Sequence, residues 1–146
     1  MEIYTIGFTK KTAPEFFGAL RRTGIRRLLD VRLNNSSQLA GLTKRDDLPF
    51  FLEELCGARY AHEPLLAPTP QILDAYRKGE EGWPEYERRF LELMRERRVE
   101  EKLDRDLFRV APTALLCSEV RPERCHRRLV LEYLGPKWGG IRPVHL

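Results

Sequence analysis

Short apolar runs alternate with helical patterns along the whole chain, and this alternation predicts the fold. Apolar runs indicate buried strands at Ile3–Gly7, Ile25–Arg32 and Pro112–Cys117. Weaker runs predict two more strands at Arg59–His62 and Ile141–Leu146. Strands that alternate with helices build a parallel sheet that is covered on both faces. The pattern therefore predicts an α/β fold: a single domain with a mostly parallel sheet of about five strands, flanked by helices on both faces.

Helices fill the intervals between these strands. The first begins at Thr12, which has capping-box spacing to Glu15. The longest is predicted over Glu85–Leu103, and the last is predicted to end at Leu134, because Gly135-Pro136 would break it. The second helix begins at Asp46 or Asp47, ends at Gly57 and turns three apolar side chains inward: Phe50, Leu52 and Leu55.

Composition and charge limit the environment and the partners. The chain has 146 residues, 42% hydrophobic and 33% charged, as in a folded domain. No apolar run approaches the ~20 residues that span a bilayer, and the first residues do not resemble a signal peptide. We therefore expect a cytoplasmic protein without a membrane partner; its oligomeric state stays open.

The net charge of +4 is carried mainly by arginine, whose planar fork grips phosphate and carboxylate groups. An anionic small molecule or a nucleic acid is therefore a candidate partner. The alternative is a salt-bridged surface, because glutamates interleave with arginines in residues 85–98. Enrichment in arginine, glutamate and proline is also compatible with a protein that works at high temperature.

The three cysteines, Cys56, Cys117 and Cys125, are too few and too scattered for a disulfide framework. In a reducing compartment they are expected to be free thiols. No CxxC pair is present, which excludes a zinc ribbon and a thioredoxin-like motif. No GxGxxG and no P-loop motif is present either, so no cofactor is predicted.

Chemically active residues follow the predicted strands, at the edge where open α/β sheets bind ligands. These residues are Gly7 and Thr9, Asp30 and Arg32, His62 and Glu63, and Cys117, Ser118 and Glu119, with Cys125, His126 and Arg127 opening the next helix. The polar stretch 33–44 is a long loop, and such loops are often functional. We expect these segments to converge, because parallel strands all end at one edge.

Candidate roles follow from the residue types. Cys117, Glu119, Cys125 and His126 are the catalytic candidates, because thiols, carboxyls and imidazoles move protons or attack substrates. Gly7, Thr9, Asp30, Arg32 and Arg127 are the substrate-binding candidates. Asp30 and Arg32 could form an ion pair that only orders the loop, or Asp30 could aim the arginine fork at an anion. A metal held by Cys125, His126 and a further ligand (Cys117 or His62) is conceivable, but the spacing matches no zinc signature and no metal is predicted.

These motifs resemble the domain of unknown function 488 family. The matching blocks are Tyr4-Thr5-Ile6-Gly7 with Thr9, Leu29-Asp30-Val31-Arg32, Tyr60-x-His62, and Leu115-Leu116-Cys117-Ser118-Glu119 with Pro122-x-x-Cys125-His126-Arg127. The resemblance implies a compact cytosolic α/β domain, and the family's cysteine and arginine motifs suggest an enzyme. It points to Asp30, Arg32, Cys117, Glu119, Cys125, His126 and Arg127. Many relatives continue after Asp-Val-Arg with a proline and a Ser-Arg pair, which residues 33–38 of this chain lack.

Three functions fit these residues. The first is an enzyme that acts on a nucleotide or nucleic-acid-like anion, held by Arg32 and Arg127 and attacked by Cys117 or Cys125. The second is a non-catalytic nucleic-acid-binding module, which needs a continuous basic surface. The third is a thiol redox sensor with a reversible disulfide between Cys117 and Cys125, which requires Cα atoms within about 7 Å.

Overall fold

Five parallel strands form the sheet in the computed structural model, which describes residues 1–35, 38–118 and 122–146. The strands are β1 Glu2–Gly7, β2 Arg27–Asp30, β3 Arg59–His62, β4 Thr113–Cys117 and β5 Arg142–His145. Their order across the sheet is β3-β2-β4-β1-β5, and every neighbouring pair is parallel. All five strands therefore end at the same edge.

Helices cover both faces of this sheet. Within the described ranges they are α1 Ala13–Arg22, α2 Leu48–Cys56, α3 Pro70–Arg77, α4 Trp83–Arg97, α5 Val99–Lys102, α6 Arg105–Val110 and α7 His126–Trp138. Short 3₁₀ segments lie at Gln38–Thr43, Pro64–Leu66 and Pro122–Arg124. Helices α1 and α2 pack on one face, and α4 and α7 contact each other on the other. The predicted α/β class is confirmed.

Strand β4 is the middle strand, and all five of its residues are buried. Successive side chains of a strand point to opposite faces. Leu115 accordingly packs in the core with Phe90 of α4, and Leu116 packs in the other core with Phe17 of α1. A strand buried on both faces reads as a continuous apolar run, which is why the sequence predicted it so clearly.

Local signals set two helix ends as predicted. The Thr12 hydroxyl accepts from the backbone N–H of Glu15, and the Glu15 carboxylate accepts from the backbone N–H of Thr12, both at 3.2 Å. This capping box satisfies two N–H groups that the first turn leaves open. Gly57 ends α2 in the left-handed region, at φ 62°, which glycine adopts without a steric penalty.

The inner face of α2 was predicted wrongly in part. Leu48 and Leu52, one turn apart, are the buried side chains, and Leu52 was among those predicted. Phe50 is 63% exposed, because a position two residues from both points to the opposite side of the helix. Leu55, in the last turn, is 43% exposed.

Two predicted helix ends were also wrong. The long helix ends at Arg97, because Arg98 takes left-handed dihedrals (φ 52°), and α5 and the unpredicted α6 follow. Helix α7 continues through Gly135 and Pro136 to Trp138. Trp138 is buried and its indole N–H donates to the Glu100 carbonyl at 3.2 Å, so tertiary contacts outweigh the cost of the proline. No helix in the described parts of the chain has the length and apolar character to cross a bilayer.

Truncating either core-facing leucine of β4 tests the two-layer packing. Leu115→Ala and Leu116→Ala are each expected to lower the free energy of unfolding by about 2–5 kcal/mol, because each leaves a cavity in a different core. Urea denaturation followed by circular dichroism measures the change. Val110→Ala, at a position 75% exposed, is the control and should change it by less than about 0.5 kcal/mol. A neutral result for one leucine would contradict packing on that face.

Candidate functional site

A disulfide joins Cys117, the last residue of β4, to Cys125, the residue that caps the N-terminus of α7. Both are almost fully buried, and their Cα atoms lie 7.3 Å apart, slightly beyond the limit of about 7 Å that was expected from the sequence for this disulfide. The expectation of free thiols is therefore wrong for this pair and correct for Cys56. The reason is spatial: α7 packs back on the sheet, so its N-terminus lies beside the end of β4, and a spacing of eight residues does not reveal this.

The His126 imidazole lies between the cysteines and the end of β2. Its Nε2 is 2.7 Å from the Val31 carbonyl oxygen, and its Nδ1 is 3.7 Å from Cys117 Sγ. Because a carbonyl oxygen only accepts, Nε2 carries the hydrogen and the Nδ1 lone pair faces the sulfur. Burial lowers the pKa of His126 to about 4, so the ring is neutral at pH 7.

On the other side of β2, Asp30 and Arg32 form a buried, two-point ion pair. Arg32 donates from Nε and Nη2 to the two carboxylate oxygens of Asp30, at 2.8 Å each. It also donates to the hydroxyl of Thr43 at 2.9 Å and to the Thr43 carbonyl. The pair thus ties the loop to the end of β2. A substrate anion would compete with these acceptors for the fork of Arg32.

The Asp30 carboxylate accepts further hydrogen bonds around the same point. Tyr60 donates its hydroxyl at 2.6 Å, the Asn35 amide donates at 3.2 Å, and the backbone N–H of Arg32 donates at 3.1 Å. Burial alone would raise the pKa of Asp30, but hydrogen bonds and charge from Arg32, together with the Tyr60 bond, lower it overall. Burial, followed by the contact with Asp30, raises the pKa of the Tyr60 phenol.

The segment Val31–Arg32 brings the two groups of residues together. Its Val31 carbonyl binds His126, and its Arg32 carbonyl lies 2.9 Å from Nε2 of His62. A small cavity of about 50 Å³ adjoins both groups. It is lined by Arg32, Leu33, Asn34, Pro68, Leu73, Arg77, Cys117, Ser118 and His126. The segments Asp-Val-Arg and Cys-His-Arg therefore meet in space.

Other predicted residues lie around this centre. Gly7 ends β1 opposite Cys117, and Thr9 bonds the Ser118 carbonyl through its backbone N–H at 3.2 Å and through its hydroxyl. Arg127 is fully buried and is not among the residues that line the small cavity. Burial and, after it, the charge of Arg127 lower the pKa of Lys11, which follows β1. The predicted residue Glu119 lies outside the described residues.

Sequence reasoning missed two features of the site. Arg77, at the end of α3, reaches the small cavity, and nothing in its local sequence distinguishes it from other surface arginines. A larger cavity of about 460 Å³ opens between the loop after β1 and residues 41–43. Its lining includes Phe8, Lys10, Lys11 and Phe16. Thr9 is the candidate site residue that lines it, and residues 41–43 belong to the polar loop 33–44 that the sequence indicated as a functional candidate.

Many surface arginines are paired with glutamates. On α4, Arg88 contacts Glu85 at 2.6 Å and Glu92 at 3.1 Å, and Arg89 contacts Glu81 at 2.8 Å. On α7, Arg128 contacts Glu132 and Glu87. These pairs break up the positive charge on this face, in agreement with the predicted salt-bridged surface.

Comparison with known proteins gives one match. The family described as "Domain of unknown function DUF488" matches residues 12–134, which include both halves of the site. No curated protein and no solved structure matches the chain.

The Asp30 network is expected to contribute strongly to stability. Asp30→Asn should lower the free energy of unfolding by about 3–5 kcal/mol, because the charge of Arg32 would stay buried opposite a neutral amide. Tyr60→Phe, which removes one bond to the carboxylate, should lower it by about 1.5–3 kcal/mol. Chemical denaturation measures both. Asp106→Asn removes an exposed ion pair with Arg109 and is the control, at no more than about 1 kcal/mol. Equal losses for Asp30→Asn and the control would refute the network.

Proposed function

The chain belongs to the DUF488 family, as its motifs suggested, and we propose that it is a thiol–disulfide redox protein in which Cys117 and Cys125 open and close reversibly. The observation that carries this proposal is the bonded pair at the end of β4, with the neutral His126 beside it. Of the three functions that the sequence allowed, this is the one that requires a bond between Cys117 and Cys125, and these two residues are bonded.

Opening proceeds by exchange with a small thiol. A thiolate attacks Cys117 Sγ, which lines the small cavity; the Sγ–Sγ bond breaks and Cys125 leaves as a thiolate. A second thiolate then attacks the small-thiol sulfur of the mixed disulfide, so that the small disulfide is released and Cys117 leaves as a thiolate. The pair gains two electrons and two protons, and two thiols are oxidised to one disulfide. Closing is the reverse.

The positions of the two sulfurs suit these different roles. Cys125 caps the N-terminus of a 13-residue helix, where the positive end of the helix dipole stabilises a negative leaving group. Cys117, once reduced, can donate its S–H to the Nδ1 lone pair of His126. His126 thus acts as a positioning residue for the thiol that faces the cavity.

A redox titration tests the proposal. Cys56→Ser removes the half-buried third thiol, so that every free thiol detected belongs to Cys117 or Cys125. After equilibration in dithiothreitol or glutathione buffers, free thiols are trapped with a maleimide and counted by mass spectrometry. We expect one two-electron transition with a midpoint between about −270 and −180 mV, as in catalytic and regulatory disulfides.

The controls separate a switch from a permanent crosslink. The unmodified chain should show the same midpoint, whereas Cys117→Ser and Cys125→Ser should lose the transition. A midpoint below about −300 mV would identify a structural disulfide and overturn the proposal.

A second candidate function is an enzyme in which reduced Cys117 attacks an anionic, nucleotide-like substrate. The observation that favours it is that Arg32 and Arg77 are both among the residues around the cavity that Cys117 lines. Arg32 is engaged by Asp30 and Thr43, so Arg77 is the better anion ligand. A nucleic-acid-binding module ranks lower, because the ion pairs of α4 interrupt a basic surface.

Alkylation of the reduced Cys56→Ser protein tests this candidate. Iodoacetate and iodoacetamide form the same S–C bond and release iodide, but only iodoacetate is an anion. Arg77→Gln should lower the ratio of their rates at Cys117 roughly fivefold, since a nearby charge is worth about 1 kcal/mol in a solvated site. Arg109→Gln, at an exposed arginine, is the control and should leave the ratio unchanged. An unchanged ratio in Arg77→Gln would refute an anion-selective cavity.

A further inference from the structure

We propose that the reduced protein binds one Zn²⁺ through Cys117 Sγ, Cys125 Sγ and His126 Nδ1, so that this site alternates between a disulfide and a metal complex. The inference rests on the proposed function in one respect, that the disulfide opens. The three ligand atoms already lie within 4.8 Å of one another, and all three residues are buried.

One of the three ligand-to-ligand distances already fits a tetrahedral zinc site. With Zn–S bonds of about 2.3 Å and a Zn–N bond of about 2.0 Å, the sulfur–nitrogen edge of the tetrahedron measures about 3.5 Å. Cys117 Sγ and His126 Nδ1 are 3.7 Å apart, so this edge is already in place. The sulfurs must separate to about 3.8 Å once their bond is reduced. The Cα spacing of 7.3 Å, wider than the ~4.4–6.8 Å usual for disulfides, favours that separation without backbone movement.

The histidine is oriented as a metal ligand. In metal sites the ring nitrogen that does not bind the metal usually donates to a backbone carbonyl or a carboxylate, which fixes the tautomer. His126 donates from Nε2 to the Val31 carbonyl at 2.7 Å and directs its Nδ1 lone pair at Cys117 Sγ. The Phe90 ring packs against the imidazole, with centroids 5.4 Å apart, and restricts its rotation.

The site also has room for a fourth ligand. Three protein ligands leave one position of a tetrahedron open, as in zinc sites that bind water or substrate. The cavity of about 50 Å³ borders Cys117 and His126 and can hold a water molecule there. Two thiolates and an imidazole favour zinc over magnesium or calcium, which prefer oxygen ligands.

Metal binding and disulfide formation exclude each other at these sulfurs. Binding releases two protons, one from each thiol, and forms two Zn–S bonds. Oxidation by a small disulfide withdraws two electrons from the thiolates, forms the Sγ–Sγ bond and releases the ion with two small thiolates. A redox change would thus be converted into zinc uptake or release.

Metal titration of the Cys56→Ser protein tests this inference. The protein is reduced with a phosphine, desalted without oxygen and titrated with Zn²⁺ in competition with a chromophoric chelator. We expect one Zn²⁺ per reduced chain and none per oxidised chain. Co²⁺, used as a spectroscopic substitute, should give the sulfur-to-metal absorption of a two-thiolate tetrahedral complex, a readout that needs no further substitution.

Variants identify the ligands. Cys117→Ser and Cys125→Ser should each weaken Zn²⁺ binding more than 100-fold. His126→Gln keeps an amide donor for the Val31 carbonyl but loses Nδ1, and should weaken binding at least tenfold. His62→Gln is the matched control, because His62 bonds the neighbouring Arg32 carbonyl without facing the sulfurs, and should leave Zn²⁺ affinity unchanged.

The outcomes separate this inference from the proposed function. A normal redox midpoint without one-to-one zinc binding would overturn the metal site and leave the redox function standing. One-to-one binding together with a midpoint typical of structural disulfides would support the metal site and overturn the redox function. A disulfide that excess phosphine does not open in the folded protein would overturn both.

Discussion

The buried carboxylate of Asp30 fixes the short segment after β2, and both halves of the site depend on that segment. A carboxylate removed from water is costly unless charge and hydrogen bonds replace the lost hydration. Here Arg32, Tyr60 and Asn35 supply them. Because these partners come from the loop and from β3, the hydrogen bonds that stabilise the Asp30 carboxylate also fix the path of the chain after β2.

The opposite side of the segment shows how the fold couples distant residues. The centre of the sheet places Cys117 at its carboxyl edge, and α7 returns Cys125 and His126 to the same edge. The imidazole joins the cysteines to β2 through one carbonyl. Cys117 and the β2 exit are therefore linked by a single ring, whose burial lowers its pKa.

Features governed by local or periodic physics could be predicted from the sequence. The continuous apolar run of β4, the Thr12 capping box and the glycine that ends α2 each specify structure through neighbouring residues. The convergence of strand ends follows from parallel topology alone. The path of α7 through Pro136 could not be predicted, because the compensating contact comes from Glu100, far away in sequence. The Cys117–Cys125 bond and the position of Arg77 beside the small cavity likewise depend on how the helices pack, which composition and spacing do not encode.

The contact between His126 and residue 31 is made by the main chain of residue 31, and this shapes how the site can vary among related sequences. Any amino acid offers the same carbonyl, so the side chain at this position is constrained by packing in the core and not by the contact with His126. Length is the constrained property: one residue gained or lost between the β2 strand and its loop would carry the carbonyl away from the ring. Apolar substitutions at residue 31 are therefore expected to preserve this contact, whereas insertions and deletions beside it are expected to break it.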